Sequence, residues 1–158
     1  MRKVKNKLLS KIMIKRRNKR FIAKITLSKE QLEEQRNTKF SKDVKFSIMV
    51  PLYNTPEQFL RDMIGSVQAQ TYGNWELCLA DGSDAEHAEV GRICEEYAAK
   101  DSRIVYRKLE KNEGISENTN ECIRMSTGNY IALFDHDDML HPAALFRCMQ
   151  EIEKNDAE

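Results

Sequence analysis

The sequence predicts an α/β fold in which a mainly parallel sheet is flanked by helices. Three observations carry that expectation. From Phe46 onward, short apolar runs alternate with stretches of helical apolar spacing, in the order β-α-β-α-β-α-β-α. The runs are apolar at consecutive positions, as strands covered on both faces by helices must be. Each run leads into polar or glycine-containing residues, and open parallel sheets gather their ligands at the carboxyl ends of their strands.

The elements follow in order. Phe46-Ser47-Ile48-Met49-Val50 reads as the first strand, stopped by Pro51. Thr55-Pro56-Glu57-Gln58 then offers an N-cap, a proline at the first helical position and a glutamine three residues past the cap. Leu60, Met63, Ile64 and Val67 keep helical spacing, and Gly73 breaks it. Residues 75–80 form the second strand, which ends at Asp81-Gly82-Ser83-Asp84. Asp84 suits the N-cap of the helix that follows, whose inner face is Val90, Ile93, Cys94 and Tyr97. Ile104-Val105-Tyr106 is the third strand. Ile115, Thr119, Cys122, Ile123 and Ser126 line a third helix, with Gly128 as its cap. Residues 130–134 form the fourth strand, and Pro142 opens a fourth helix with Leu145, Cys148, Met149 and Ile152 inside. The crossovers are expected to be right-handed.

The 158 residues can hold one domain with a real core. The net charge of +1 conceals two differently built segments. Residues 1–40 hold 14 Lys/Arg against 3 Asp/Glu, a net of +11, and residues 41–158 hold 12 against 22, a net of −10. Residues 1–45 are therefore read as a basic, partly helical or disordered extension and residues 46–158 as the folded part. Within the extension, residues 1–24 carry 11 basic and no acidic residues, interrupted by Leu8, Leu9, Ile12, Met13 and Ile14. That pattern suits either a solvated tail or an amphipathic segment on an anionic membrane face, and nucleic acid is not the expected partner. Ser28-x-x-Gln31 resembles a capping box. Cys78, Cys94, Cys122 and Cys148 lie in apolar patterns without a C-x-x-C pair, so they read as buried reduced thiols in a cytosolic protein.

The chemistry gathers at the strand ends. Asp135-His136-Asp137-Asp138 follows the fourth strand directly. Three carboxylates in four residues repel one another, and a divalent cation bridging a diphosphate relieves the repulsion. Mg²⁺ and Mn²⁺ take one or two carboxylates together with substrate phosphates. A solvated turn capping the next helix is the plain alternative. A calcium loop fails, because its required Gly and Glu positions hold Leu140 and Phe146. Tyr53 offers a ring to a nucleobase, Asp81 an acceptor for a base N–H, Gly114 a close backbone approach, Asp135 an acceptor for ribose hydroxyls and Asp137 a metal ligand. Each also has a plainer structural reading: Tyr53 as packing, Asp81 as a turn residue, Gly114 as a supplier of positive φ. No G-x-G-x-x-G follows a strand and no P-loop is present, which disfavours nicotinamide and P-loop enzymes. His87 with His136-Asp137 hints at a metal phosphohydrolase, but that chemistry needs an all-helical scaffold, and here the pair follows a strand.

Four segments together resemble the inverting family 2 glycosyltransferases with their GT-A nucleotide-sugar fold. They are Phe46 through Asn54; Gln70-Thr71-Tyr72 with Trp75-Glu76-Leu77 and Asp81-Gly82-Ser83; Asn112-x-Gly114-Ile115-Ser116-x-x-x-Asn120; and Gly128 through Asp138, which resembles the family's DxD strand. The resemblance spans about residues 46–152. It implies that Pro51, Tyr53 and Asp81 line a nucleobase pocket, that Asn54, Gly114 and Asn120 also bind the nucleotide sugar, that Asp135 contacts ribose, and that Asp137 with Asp135 holds Mn²⁺ or Mg²⁺. It further implies a UDP-sugar donor, a glycan or polysaccharide acceptor, inversion at the anomeric carbon, and a cytoplasmic location, peripheral at the inner face of the plasma membrane. Asn118-Thr119 stands where many members carry Ala-Arg, so the phosphate contact of that Arg has no counterpart here. The family's catalytic base lies well downstream of the DxD strand. The expectation is thus a nucleotide-binding half, cut short after the following helix, with its base beyond Glu158. A truncated, non-catalytic nucleotide-sugar-binding module is the competing class.

Overall fold

The computed structural model describes residues 25–155. The chain divides into two units, Met1–Glu34 and Gln35–Glu158. In the first, Ser28 and Gln31 close the expected capping box: the Ser28 N–H donates to Gln31 Oε1 (2.9 Å) and the Gln31 N–H to Ser28 Oγ (3.2 Å). This opens helix α1, Lys29–Asn37.

The second unit is built on four parallel strands: β1 Phe46–Leu52, β2 Trp75–Asp81, β3 Ile104–Lys108 and β4 Tyr130–Leu133. The helices between and after them are α2 Glu57–Gln68, α3 Ala88–Lys100, α4 Ile115–Met125 and α5 Ala144–Asn155. A single 3₁₀ turn, Ala85–His87, precedes α3. The strand order is β3-β2-β1-β4. The chain thus builds outward from β1 through β2 to β3, then returns to the other side of β1 for β4. Order reverses between β1 and β4, and the carboxyl ends of those two strands frame the crevice where doubly wound sheets bind ligands.

The central strands are buried on both faces, which is why they read as continuous apolar runs. Ile48, Val50, Leu52, Leu77 and Leu79 point to one face, packed under α2 (Leu60, Met63, Ile64, Val67), α3 (Val90, Ile93, Cys94) and α5 (Leu145, Met149, Ile152). Met49, Cys78 and Ala80 point to the other, where α4 covers them through Cys122 and Met125, with Leu109 packed alongside. Truncating one of these large core side chains to Ala costs about 2–5 kcal/mol. Residues 35–45, expected as part of the extension, pack on this unit. Gln35 is buried and accepts from Thr71 Oγ1 (2.8 Å), and Phe40 meets the rings of Tyr72 and Phe146 edge-on.

Several sequence expectations shift. Pro51 does not stop β1, which runs on to Leu52. The Met49 carbonyl points toward β4, where it accepts from the Phe134 N–H (3.1 Å), and the Leu52 carbonyl points toward β2, where it accepts from Gly82 (3.0 Å). Pro51, two residues after Met49, therefore turns its nitrogen to the β4 side, beyond the end of β4 at Leu133. No ladder partner is lost there. Helix α2 has its N-cap at Pro56 rather than Thr55, without a side-chain cap bond, and Thr55 Oγ1 is buried without a partner. The covered face of α4 is Asn118, Cys122 and Met125, while Ile115 and Ile123 are exposed. In α5, Phe146 takes the inner place expected for Cys148, which is exposed. The other three thiols are buried as expected, and burial pushes Cys78 up to about 12 and Cys122 to about 11, so both stay protonated and inert. Gly128 does not cap α4, whose C-cap is Ser126. It sits where a Cβ would come within 2.6 Å of the Lys45 carbonyl oxygen and of Ser47 Oγ.

Candidate functional site

A crevice of about 360 Å³ opens at the β1/β4 switch point. Pro51 and Met49 form its floor from β1, Ile115, Thr119 and Asn120 one wall from α4, and Phe134 with Asp135 the other from the end of β4. Three residues expected from the sequence to bind a nucleotide sugar, Pro51, Asn120 and Asp135, therefore meet in one cavity. The floor exists because β4 ends at Leu133 while β1 continues to Leu52, and Pro51 needs no strand on that side. Ile115 and Leu133, exposed to 71% and 74%, are the large apolar surfaces at the mouth.

Helix α4 enters the crevice by its N-terminus. Its N-cap, Gly114, has φ +92°, a conformation that side-chain-bearing residues rarely adopt. The Gly114 N–H donates to Asn112 Oδ1 (3.0 Å), which also accepts from Asn118 Nδ2 (2.9 Å), so Asn112 shapes the loop that leads into the helix. No side chain caps the first turn of α4. Its leading N–H groups and the positive end of the helix dipole are thus available to an anion at the mouth.

The acidic turn forms the rim. Asp135, Asp137 and Asp138 are exposed, and the Asp138 N–H closes the turn onto the Asp135 carbonyl (3.3 Å). His136 is partly buried, and its Nδ1 has no partner. Among the described residues no group of three or more His, Cys, Asp or Glu side chains is arranged to hold a metal ion. Hard carboxylate oxygens on an open turn nevertheless fit Mg²⁺ or Mn²⁺, provided that phosphate oxygens complete the coordination. Asp135 and Asp137 are the side chains that would hold such an ion.

The loops after β1 and β2 are locked together. Tyr53 stands half-exposed past the end of β1. Asn54 has φ +50° and is held there from both sides: its N–H donates to Ser83 Oγ (2.9 Å), its Nδ2 to Asp84 Oδ2 (2.8 Å), and its Oδ1 accepts from the Asp84 N–H (3.1 Å). Asn54 thus braces the loop that presents Tyr53. Asp84 caps the 3₁₀ turn by accepting from the Glu86 N–H (3.1 Å), one turn ahead of the place expected for it, since the N-cap of α3 is His87.

Asp81 is placed differently from the other candidates. It is fully buried, on the sheet face covered by α3, whereas Pro51 faces α4. Its carboxylate accepts from the Ser83 N–H (2.8 Å), Tyr106 OH (3.0 Å) and Lys108 Nζ (3.2 Å). Burial, and then the Asp81 charge, push the Tyr106 phenol up. Lys108 also donates to the Ser83 carbonyl (2.5 Å). Tyr106 and Lys108 are participants that the sequence pattern does not single out, and only their place on the neighbouring strand, where Lys108 is in register with Asp81, could have pointed to them.

The sequence model described as "Glycosyl transferase family 2" matches residues 47–158. An uncharacterized protein of Sinorhizobium fredii, y4gI, is 47% identical over 107 residues, which are 68% of this chain and 12% of that protein. The putative glycosyltransferase EpsE of Bacillus subtilis is 37% identical over 112 residues, 70% of this chain and 39% of that one. Among solved structures, Staphylococcus aureus TarS residues 1–349 in complex with UDP-GlcNAc superposes with a TM-score of 0.64 at 23% identity, covering 71% of this chain and 32% of that chain. The chain thus spans well under half the length of these relatives, and its α/β sheet is shared with the GT-A-like fold of TarS. With the family's sequence model matching from β1 through α5, this chain belongs to glycosyl transferase family 2.

Proposed function

We propose that residues 46–155 form the donor-binding part of a glycosyltransferase that takes a nucleoside-diphosphate sugar, a UDP-sugar in the first instance. The observation that carries this reading is the β1/β4 crevice, where Pro51, Asn120 and Asp135 meet beneath an acidic rim in a chain of this family. The apolar walls suit the nucleoside. Tyr53 supplies a stacking ring at the edge, and Asp135 an acceptor for ribose hydroxyls. The uncapped N-terminus of α4 offers N–H donors to the diphosphate, in the place of the arginine that Thr119 does not supply. A divalent ion held by Asp135 and Asp137 would supply Lewis-acid stabilisation of the departing diphosphate. TarS, which binds UDP-GlcNAc, supports uridine as the nucleoside to try first.

In this reading the buried Asp81 serves first to set the 81–84 loop, and it reads a base N–H only by exchanging its Tyr106 or Lys108 partner. The acceptor is a glycan hydroxyl, and its attack inverts the anomeric carbon. The test is calorimetric titration of UDP with and without Mn²⁺, on the parent and on Asp137→Asn. The expected result is a gain in UDP affinity with Mn²⁺ that the substitution abolishes while the fold, followed by circular dichroism, is retained. Equal Mn²⁺-dependent affinity in the two proteins would remove Asp137 as a ligand. Absence of UDP binding by the parent would remove the donor-site reading altogether.

A further inference from the structure

We infer that Gln70, with Ser66 and Thr71, is a positioning group for the acidic turn, a latch that fixes the downstream end of residues 135–138. The inference rests on the donor-site reading in so far as that turn holds the metal and diphosphate. Its mechanical part stands on contacts alone.

The acidic turn has almost no support of its own. Its three carboxylates are exposed, and the one backbone bond described within it is Asp138 N–H to the Asp135 carbonyl. Its position is therefore set by its two ends. Upstream, the Phe134 N–H is bonded to Met49 of β1. Downstream, the chain runs straight into the C-terminal end of α2. There the Leu140 N–H donates to Ser66 Oγ (3.0 Å), Gln70 Nε2 donates to the His141 carbonyl (2.8 Å), and the Thr71 N–H donates to the Pro142 carbonyl (2.8 Å). The Leu145 N–H, at the start of α5, donates to Gln70 Oε1 (3.1 Å).

The geometry makes Gln70 the centre of this latch. The side chain is buried, and its amide is used at both ends: Nε2 is shared between the Ser66 and His141 carbonyls, and Oε1 is taken by Leu145. Ser66 Oγ donates in turn to the Met63 carbonyl (2.7 Å), which aims its lone pair at Leu140. Thr71 Oγ1 is shared between Pro142 and the buried Gln35. A carboxamide is suited to this task because it donates and accepts from one rigid plane. Leucine there would remove the bonds described for the Ser66 carbonyl and the Leu145 N–H and leave the His141 carbonyl with the Ala144 N–H (2.8 Å) alone. The acidic turn is thus strung between β1 and α2, and outer groups that orient metal-binding carboxylates change metal affinity by about 10- to 100-fold when they are removed.

The experiment uses Gln70→Leu and, as a milder second variant, Thr71→Val, which keeps the backbone bond to Pro142 and loses only the hydroxyl. The first readout is hydrogen exchange at Asp138 and Leu140, neither of which is bonded to Gln70, with Gly82 as an internal reference on the neighbouring loop. The latch predicts exchange about tenfold faster at Asp138 and Leu140 in Gln70→Leu, with Gly82 unchanged, and a smaller effect in the same places for Thr71→Val. The second readout is Mn²⁺ titration in the presence of UDP, where the Mn²⁺ affinity should fall about tenfold or more while metal-free UDP binding stays within about twofold. Unchanged exchange at Asp138 and Leu140 in folded Gln70→Leu overturns the latch, as does an equal loss of metal-free and Mn²⁺-supported binding. If Gln70→Leu does not fold, Thr71→Val decides by the same criteria. A parent that fails to bind UDP defeats the donor-site reading, and the exchange data then decide the latch alone.

Discussion

The strongest single test of the architecture is Glu76→Gln. Glu76 is the second residue of β2, on the α4 face of the sheet at the end opposite the crevice, and its side chain is 5% exposed. Four donors converge on it: Lys45 Nζ (2.5 Å), Ser47 Oγ (2.6 Å), the Thr127 N–H (2.5 Å) and Thr127 Oγ1 (2.9 Å). Burial alone would raise its pKa. The hydrogen bonds from Lys45, Ser47 and Thr127 outweigh that and hold it at about 2, against an ordinary 4.5. At about 1.4 kcal/mol per pH unit, the difference is worth about 3 kcal/mol of stability. Because the folded value is depressed, that contribution is complete above pH 4.5 and is lost as the pH falls toward 2. The amide introduced by Glu76→Gln would turn an NH₂ toward donors, leaving Lys45 part-buried opposite a neutral group. Urea unfolding at pH 7 should show the variant about 3 kcal/mol less stable, with the gap closing between pH 4.5 and 2. A difference under about 0.5 kcal/mol at pH 7, or parallel pH profiles for the two proteins, would refute the reasoning.

Three further outcomes are expected. Gly128→Ala puts a methyl 2.6 Å from the Lys45 carbonyl oxygen and should lower the urea midpoint, at unchanged slope, by the equivalent of about 1–3 kcal/mol. Asn54→Ala forces alanine to φ +50° and removes the bonds to Asp84, at a cost of about 2 kcal/mol in thermal unfolding, whereas Asn54→Gly keeps the backbone and should lose about half of that. Deleting residues 1–24, which carry the 11 basic residues, should release the protein from anionic vesicles in a sedimentation assay, and binding that survives the deletion would show that this segment is not the anchor.

The strands and helices were legible because a strand buried on both faces has to be apolar throughout, as residues 48–50 and 77–80 are. Composition does not say what covers a face, and that is where the reading of α4 slipped. Ile115 and Ile123 look like core, but the described chain leaves them in the open beside Ile131 and Leu133 of β4, which share the face of Met49 through the β1/β4 register. Asn118 looks like surface and is buried under the β2 loop. Pro51 was misjudged as a strand breaker because the side to which its nitrogen points depends on which neighbour has already ended. Glu76 and Asp81 are charges inside strands, a pattern that reads as exposure until the partners appear, and their side-chain partners lie 25 to 51 residues away in sequence. That the strand-end residues share one edge was legible, because a parallel sheet brings all its carboxyl ends to one edge whatever the helices do.

The same asymmetry explains how the sheet can be rigid at one end of its strands and open at the other. At the lower edge Glu76 ties β1 and β2 to the segment entering β4, through Lys45, Ser47 and Thr127, and Gly128 lets that segment lie against the β1 backbone. β4 is therefore set in register with β1 from its first residue. At the upper edge β4 stops four residues later while β1 continues, and that difference in length makes the crevice floor at Pro51. The acidic turn leaves β4 at this point and is caught again by Gln70 at the foot of α2. Carboxylates that must meet a charged ligand are left without protein partners, and a carboxylate buried in that unpaired state would be neutralised, unlike Glu76, which its donors keep charged. They can be placed accurately only if the chain on either side is held, and the two anchors at Met49 and Gln70 do this while the carboxylates themselves stay in water.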